Sequence, residues 1–326
     1  MSLQNRHLEF ELAIAENPRD SSLRLIYADW LEEQGDLRSE FIRVMEKMKK
    51  LPIYCDECWQ LRTMRNDLRN RIDKAWLKKM QYHPVYSPMF SKLPTERKHR
   101  WRLVEEFISL WYEPLQEGDG YSESELASVE DQIGLQFPTA LRELYSLCGK
   151  REDIWCTQNR LLSPQEILQH FQFEGSNNLL WQGTIDFFVE NQGVEIWGVC
   201  EQDTELEDPP VYSLREHLGE VSPTISAFVI LALLSETQWA APIRGSWEIP
   251  SESMAEHLSQ SIQRCDLPNR YWISFPIDYY EKTDLYFSIA NLTDSIYLNV
   301  IARNNKALSQ LDSDIMNEIL WTTFTY

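Results

Sequence analysis

The spacing of apolar residues in the first fifty positions predicts three short helices. The second has its apolar residues at intervals of three and four, the period of one helix face. These residues are Leu23, Ile26, Tyr27, Trp30 and Leu31. Asp20 or Ser21 is expected to cap the start of this helix, and Gly35 to end it in the left-handed conformation. The same period continues from Phe41 to Met48, so the chain opens with an all-α segment.

A longer amphipathic helix is predicted over residues 59–82. Its apolar side is formed by Leu61, Met64, Leu68, Ile72, Trp76 and Met80. Its outer side carries basic residues, with only Asp67 and Asp73 against them: Arg62, Arg65, Arg69, Arg71, Lys74, Lys78 and Lys79. A solvated face is the simplest interpretation. Docking against an acidic domain comes second, and nucleic-acid binding third. Residues 82–94 then read as a linker.

From Trp101 onward, the signals of helix ends become frequent. Ser122 and Glu125 have the spacing of a capping box, and Gly134 is placed to end the helix that follows. A further helix is predicted to begin at Ser163-Pro164. The segment 222–236 is apolar on all sides, which indicates a helix buried on most of its faces.

Strands are predicted in the second half of the chain. Asp186–Glu190 and Val194–Val199 are rich in β-branched and aromatic residues, and Asn191-Gln192-Gly193 between them is typical of a hairpin turn. Alternating patterns predict further strands at 210–212, 270–280, 285–289 and 295–301, and a small helix near residue 307. The segment 238–266 is an insertion with no assigned structure. We therefore expect an α+β protein with domains at 1–95 and 96–326.

Three strings in the first domain carry a family resemblance. They are AIAENP at 13–18, LIYADWLEEQGD at 25–36 and EFIR at 40–43. They resemble the bacterial repeat-companion domain, a helical module at the front of many otherwise unrelated proteins. The resemblance covers residues 7–48 and implies no established activity. Tyr27, Asp29 and Trp30 are a candidate recognition patch there, although packing in the core is the simpler interpretation.

A second resemblance lies in the larger domain. Its strings are LQFP at 135–138, LRELY at 141–145, CG at 148–149, QNRLLSP at 158–164, DFFVENQGVEIWGV at 186–199 and PPVY at 209–212. They resemble the SUKH superfamily, which contains fungal cell-wall-synthesis regulators and bacterial toxin-immunity proteins. The resemblance spans residues 101–326. It implies a central, mostly antiparallel sheet flanked by helices, and a function in binding another protein.

Composition and charge limit the kinds of partner that this chain is expected to bind. The 326 residues are 43% apolar and include 12 Trp, enough for a sizeable core. The net charge of −20 is uneven: residues 1–100 hold 19 Lys and Arg against 15 Asp and Glu, and residues 101–326 hold 12 against 36. The larger domain should therefore repel nucleic acid and anionic membranes and attract a basic protein. From charge alone, the simpler interpretation is that the acidity only keeps the protein in solution. Six scattered Cys and the lack of an apolar leader favour a cytoplasmic protein.

Candidate chemistry is sparse. Cys55 and Cys58 have the spacing of half a zinc site, but no second pair completes it, so no metal is predicted. The chain contains none of the motifs HExxH, GxxxxGK[ST], GxSxG and GxGxxG, and its six His are scattered. No catalytic residue and no cofactor are predicted. A hydrolase with an unrecognised site in the insertion is retained as a lesser alternative to a non-enzymatic protein.

Two regions are candidates for binding a partner. The first is the hairpin, with Glu190, Asn191, Gln192, Glu195 and Trp197; for Trp197, a place in the core is favoured over a role as an interface anchor. The second is the acidic loop, which we define as residues 201–208, with the candidates Glu201, Asp203, Glu205, Glu207 and Asp208. The leading hypothesis is an immunity protein that neutralises a basic toxin such as a nuclease. The alternative is a regulatory scaffold like the fungal relatives.

Overall fold

The computed structural model describes residues 3–17, 20–80, 89–173, 183–214, 219–249, 262–268, 276–282, 284–292, 295–309, 311 and 320–323. The chain divides into two compact units, Met1–Met89 and Phe90–Tyr326. The first is helical where described, and the second combines helices with antiparallel sheets, which confirms the predicted α+β class.

Residues 90–95, which the sequence prediction placed in the first domain, belong to the second unit. The reason is a set of hydrogen bonds to residues 266 and 281, which belong to the second unit. The N–H of Phe90 donates to the carboxylate of Glu281 at 2.7 Å, and the carbonyl of Phe90 accepts from the N–H of Asp266 at 2.6 Å. The carboxylate of Asp266 in turn accepts from the N–H of Leu93 at 3.2 Å.

Five helices make up the described part of the first unit: α1 (Leu3–Glu16), α2 (Ser21–Glu33), α3 (Arg38–Met48), α4 (Asp56–Arg71) and α5 (Lys74–Lys79). The three short helices predicted for the first fifty residues are confirmed. The carboxylate of Asp20 caps α2 by accepting from the N–H groups of Ser22 and Leu23 at 2.9 and 3.1 Å. Gly35 follows with φ of 66°, the left-handed conformation that was predicted.

The core of the first unit contains two residues of the predicted recognition patch. Tyr27 is 0% exposed and Trp30 is 9% exposed, and their rings stack at 6.2 Å. Asp29 lies on the surface, where its carboxylate accepts from Arg43 at 2.7 Å. The simpler interpretation is therefore the one that the structure favours: packing for the two aromatic residues and an ion pair for the carboxylate.

The single helix predicted over residues 59–82 is wrong. The chain instead breaks between α4 and α5, where Asp73 caps the shorter helix: its carboxylate accepts from the N–H groups of Ala75 and Trp76 at 3.3 and 3.1 Å. Ile72, Trp76 and Met80 are nevertheless buried, as predicted. Met64, predicted to face inward, is 39% exposed, whereas Leu68 is buried.

The described helices of the second unit are α6 (Arg97–Trp111), α7 (Glu123–Ile133), α8 (Thr139–Cys148), α9 (Glu152–Trp155), α10 (Pro164–Phe173), α11 (Ile225–Ala240) and α12 (Asn305–Leu308). The predicted capping box is present at the start of α7, with Ser122 and Glu125 each accepting from the other's backbone N–H. Gly134 ends α7 with φ of 78°. These local signals were sufficient because each involves residues within one helical turn.

Two antiparallel sheets stand where the sequence predicted one central sheet. The first contains β1 (Asn159–Leu161), β2 (Thr184–Glu190), β3 (Ile196–Cys200), β4 (Val211–Ser213) and β5 (Gly219–Ser222). The second contains β6 (Ile243–Ile249), β7 (Gln263–Arg264), β8 (Ile277–Lys282), β9 (Leu285–Asn291), β10 (Ile296–Ala302) and β11 (Leu320–Thr323). In the described residues, the strands of the first sheet follow the order β1-β2-β3-β4-β5, and those of the second the order β11-β6-β10-β9-β8-β7.

Part of the second sheet comes from the insertion to which the sequence assigned no structure. Strand β6 pairs with β10 along seven residues, from Ile249 opposite Ile296 to Ile243 opposite Ala302. Its sequence alternates, with Ile243, Trp247 and Ile249 all at odd positions, so the signal for a strand was present. The described part of the insertion thus supplies strands β6 and β7 of the second sheet.

Helix α11 is the centre of the second unit. Its residues from Ile225 to Thr237 are all buried, and it contacts α6, α8, α9, β5 and β10. The predicted helix buried on most sides is confirmed, although it starts three residues later, because Thr224 caps it by accepting from the N–H of Ala227 at 3.2 Å. Gln238 extends from its end to the hydroxyl of Ser288 in the second sheet, at 2.7 Å.

Candidate functional site

The predicted hairpin forms as β2 and β3. The strands pair from Thr184 opposite Cys200 to Val189 opposite Ile196. The N–H of Glu190 donates to the carbonyl of Glu195 at 2.9 Å, and Gly193 takes φ of 67° in the connecting turn. Glycine adopts this left-handed conformation without strain, which suits it to this position of the turn.

Two carboxylates of the hairpin, proposed from sequence as partner contacts, are internal braces. Glu190 is 5% exposed, and its carboxylate accepts from the N–H groups of Gln192 and Val194 at 2.8 and 3.2 Å. Glu195 is 8% exposed, and its carboxylate accepts from the hydroxyl of Ser213 in β4 at 2.7 Å. Both predictions of a partner contact are therefore corrected: these charges hold the turn and the sheet.

Trp197 is a core residue, as the favoured interpretation had it. It is 0% exposed, and its ring lies 5.7 Å from that of Phe188 and 6.1 Å from that of Phe228. At the hairpin, the side chains available to a partner are Asn191 and Gln192, both exposed, and Val194, which is 54% exposed and was not among the predicted site residues.

The hairpin is held in place by Glu236, a residue of α11 that is 0% exposed. Its carboxylate accepts from the N–H groups of Gln158 and Asn159 at 2.8 and 3.0 Å, and from the hydroxyl of Thr157 at 2.7 Å. Burial raises the pKa of Glu236 despite these hydrogen bonds. Because Asn159 opens strand β1 and pairs with Glu190, this carboxylate connects the central helix to the base of the turn.

The acidic loop has a defined conformation. It begins with a 3-10 turn at Glu201–Asp203, and the N–H of Glu201 donates to the carbonyl of Gly183 at 2.7 Å. The N–H groups of Thr204 and Leu206 donate back to the carbonyls of Glu201 and Asp203 at 3.1 and 3.0 Å. The backbone of the loop is therefore bonded to itself and to the end of the sheet.

Asp208 anchors the C-terminal end of the acidic loop. Its carboxylate accepts from the N–H of Ser226 at 2.9 Å and from the guanidinium of Arg100 at 2.8 Å, and its side chain is only 11% exposed. Arg100 is itself 8% exposed. Asp208 was predicted to contact a partner; the structure corrects this, because its charge is neutralised inside the unit.

Glu207 ties the same loop to two helices while remaining accessible. Its carbonyl accepts from the N–H of Ala140 at the start of α8, at 2.8 Å. Its carboxylate accepts from Arg97 of α6 at 2.8 Å, although 78% of the side chain is exposed. The pKa of Arg97 is raised: the carboxylates of Glu207 and Glu143 outweigh the opposing effect of burial.

The hydroxyl of Tyr212 lies close to the acidic loop. It donates to the carboxylate of Asp203 at 3.5 Å, and Tyr212 stands opposite Glu220 in the β4–β5 pair. Burial, with the negative charge of Asp203 second, raises the pKa of Tyr212. Asp203 is thus half-buried and partly engaged, whereas Glu201 and Glu205 are exposed.

The two predicted regions form separate surfaces. The hairpin turn lies at the start of β3 and the acidic loop at its end, so five residues of extended strand, roughly 17 Å, separate them. The acidic loop presents Leu206, 51% exposed, between Glu205 and Glu207. Leu206 was not predicted as a site residue, because the sequence does not show whether a single apolar residue in an acidic run is exposed.

The described residues contain no cluster of metal ligands. No three His, Cys, Asp or Glu side chains in that part of the chain are grouped so as to hold a metal ion. The Sγ of Cys55 instead caps α4, accepting from the N–H of Cys58 at 3.4 Å. Burial raises the pKa of Cys148 to about 12, so this thiol stays protonated at neutral pH. No helix among the described segments has the length and apolar content to cross a bilayer.

Comparisons with family models, with curated proteins and with solved structures find no match to this chain.

Proposed function

We propose that this chain is a non-enzymatic binding module and acts as an immunity protein that neutralises a basic toxin domain such as a nuclease. The observation that carries the proposal is the acidic loop: a bonded backbone that presents Leu206 between exposed carboxylates. The resemblance to the SUKH superfamily is the reason for the toxin-immunity role in particular, and a cytoplasmic encounter is part of the proposal.

The charge of the second unit supports a basic partner. With the boundary at residues 89 and 90, the first unit holds 15 Lys and Arg against 14 Asp and Glu, and the second holds 16 against 37. A net charge of −21 on one unit accelerates encounter with a cationic protein and disfavours nucleic acid. Long-range attraction of this kind selects partners by the sign of their charge. Short-range contacts must then determine which basic protein binds.

The anchoring of the acidic loop supports a specific contact. Because Asp208 and Glu207 fix its C-terminal end to α6, α8 and α11, little further ordering is needed on binding. A preorganised loop loses less conformational entropy than a mobile one when it contacts a partner. Leu206 supplies apolar area at the centre of the contact, and Glu201 and Glu205 supply charge around it.

The test is co-expression of the full chain with individual basic toxin domains, one per strain. Growth should be rescued from one toxin and from no other. Binding of the purified pair is then measured at low and at physiological salt for Glu201→Lys/Glu205→Lys. Reversing two exposed charges at the contact should weaken binding roughly tenfold or more.

The matched control is Glu113→Lys/Glu117→Lys, which changes the net charge equally at two exposed positions with the same spacing. It should change affinity much less. Equal loss in both variants would mean that the loop is not the contact. Rescue from no toxin, together with binding to several basic proteins, would favour the regulatory scaffold instead. Failure to bind any basic protein would overturn the proposal.

A further inference from the structure

A groove lies between α7 and the start of α8, in a part of the second unit not predicted as a site. It has a volume of about 640 Å³. It is lined by Glu123, Ala127, Glu130, Asp131, Gly134, Leu135, Gln136, Phe137, Thr139 and Arg142. The residues from α7 recur at intervals of three and four, so they share one face of that helix.

The floor of the groove is fixed by ion pairs and hydrogen bonds. The guanidinium of Arg142 is bound by the carboxylates of Glu130 and Glu123. Glu130, whose side chain is 6% exposed, also accepts from the N–H of Phe137 at 2.8 Å. These bonds connect the two helices to the chain between them. They also show that the carboxylates of this groove bind a guanidinium.

The rim of the groove is acidic and its wall is apolar. Asp131 is exposed, and the side chain of Glu123 is 81% exposed even with Arg142 bound. Ala127 and Leu135 are half-buried between these charges and the floor. With one cation and three anions, the lining has a net charge of −2. An apolar wall beside an anionic rim fits a side chain with an aliphatic stem and a cationic head.

The groove adjoins the acidic loop. Thr139 lines the groove, and the N–H of the next residue, Ala140, donates to the carbonyl of Glu207 at 2.8 Å. The groove and the acidic loop are therefore neighbours on the second unit. On the basis of the function proposed above, we infer that the groove takes an arginine side chain of the same basic partner. Its guanidinium lies at Asp131 and its stem packs against Ala127 and Leu135, each four residues away, while the charge of Glu123 adds to the attraction.

Arginine fits this place better than lysine. A planar guanidinium bonds both oxygens of one carboxylate at once, here those of Asp131, and it packs more readily on an apolar wall than a hydrated ammonium group. The exposed amide of Gln136 and hydroxyl of Thr139 lie on the same groove and supply hydrogen bonds to the partner's backbone.

The test uses the full chain and a fluorescein-labelled peptide of four Gly-Arg repeats. The same peptide with citrulline, a neutral isostere, and with lysine are the ligand controls. The arginine peptide should bind best, and its binding should shift the backbone amide resonances of Gly134, Gln136 and Thr139. Glu123→Gln/Asp131→Asn should weaken binding roughly fivefold. Asp131→Asn alone, which spares the Arg142 pair, should give part of that loss.

The control Glu113→Gln/Glu117→Gln removes two exposed charges elsewhere and should leave binding within twofold. Equal loss in this control, or equal binding of the citrulline peptide, would overturn the groove as a site. The result is separable from the proposed function. Should the toxin domain bind and respond to Glu201→Lys/Glu205→Lys but not to Glu123→Gln/Asp131→Asn, the groove proposal fails and the loop proposal stands.

Discussion

The carboxylate of Glu236 offers the sharpest test of how the hairpin is held. It is fully buried and is the common acceptor for Thr157, Gln158 and Asn159. In Glu236→Ala, the backbone N–H groups of Thr157, Gln158 and Asn159 and the side-chain amide of Asn159 lose this acceptor inside the unit. The hydroxyl of Thr157 can still donate to the backbone carbonyl of residue 236, at 2.9 Å. A buried donor left without a partner costs about 1–3 kcal/mol, and part of this is offset because no carboxylate is desolvated. We expect a loss of roughly 3 kcal/mol in the free energy of unfolding.

Glu236→Gln removes the charge of the side chain but keeps one oxygen that can accept hydrogen bonds. One oxygen remains for Thr157 and Gln158, and the new NH₂ group faces the side chain of Asn159, whose amide now donates to the carboxylate at 2.8 Å. Rotation of that amide presents its oxygen instead, so the network is conserved. The glutamine variant should therefore lose about 1 kcal/mol or less, well below the alanine variant.

The difference in stability between the wild type and Glu236→Gln should depend on pH. Since burial raises the pKa of Glu236, the folded state holds its proton more tightly than the unfolded state. The stability that this group contributes is full below the unfolded pKa and is lost as pH rises through the folded pKa. Glutamine does not titrate. The advantage of the wild type over Glu236→Gln should therefore shrink between acidic and neutral pH.

Urea unfolding followed by circular dichroism gives the global loss, and hydrogen exchange of the amides of Gln158 and Asn159 gives the local one. The exchange measurement matters because a chain of two units need not unfold in one step. An alanine variant within about 1 kcal/mol of the wild type would refute the reasoning. So would a glutamine variant as damaging as alanine, because the carboxylate would then act through its charge.

Two further predictions concern the acidic loop and the first unit. Asp208→Ala should destabilise the second unit by roughly 2 kcal/mol and weaken partner binding, whereas Glu207→Gln should change stability by less than about 0.5 kcal/mol, as measured by thermal unfolding and affinity. His7→Phe should reduce the acid sensitivity of the first unit: burial lowers the pKa of His7, which bonds the hydroxyl of Tyr27, so stability falls as pH drops through the ordinary histidine range. Unfolding at pH 7.5 and 5.5 checks this, and an equal pH response in both proteins would contradict it.

Elements with a local signal were predictable from the sequence. The cap of Asp20 on α2, the capping box of Ser122 and Glu125, and the turn at Gly193 each depend on residues within four positions. The apolar helix α11 was predictable because its composition alone excludes an exposed face.

Elements that depend on distant partners were missed. Strand β1 is three residues long and exists because it pairs with β2 and is bonded by Glu236, 77 residues away. The break between α4 and α5 was missed for another reason: the apolar period was continued through Asp73, a residue well suited to cap a new helix.

The candidate site was half predictable. Asn191, Gln192, Glu201 and Glu205 are exposed as a partner contact requires. Glu195 could not be recognised as internal, because the hydroxyl that it accepts from is 18 residues away. The brace at Glu190, by contrast, is a bond to the N–H two residues on, a local pattern that the sequence allowed.

The carboxylates of the acidic loop that are paired inside the unit differ in their effect on binding from those that are exposed. The loop carries five carboxylates, but Asp208 is neutralised by Arg100 and Glu207 is paired with Arg97. Attraction at long range depends on net charge, so the whole unit contributes and salt weakens it. In the proposed complex, contact at short range would depend on Glu201, Glu205 and Leu206, which are exposed. Salt should therefore lower the rate of association more than it raises the rate of dissociation, whereas Leu206→Ala should act on dissociation alone.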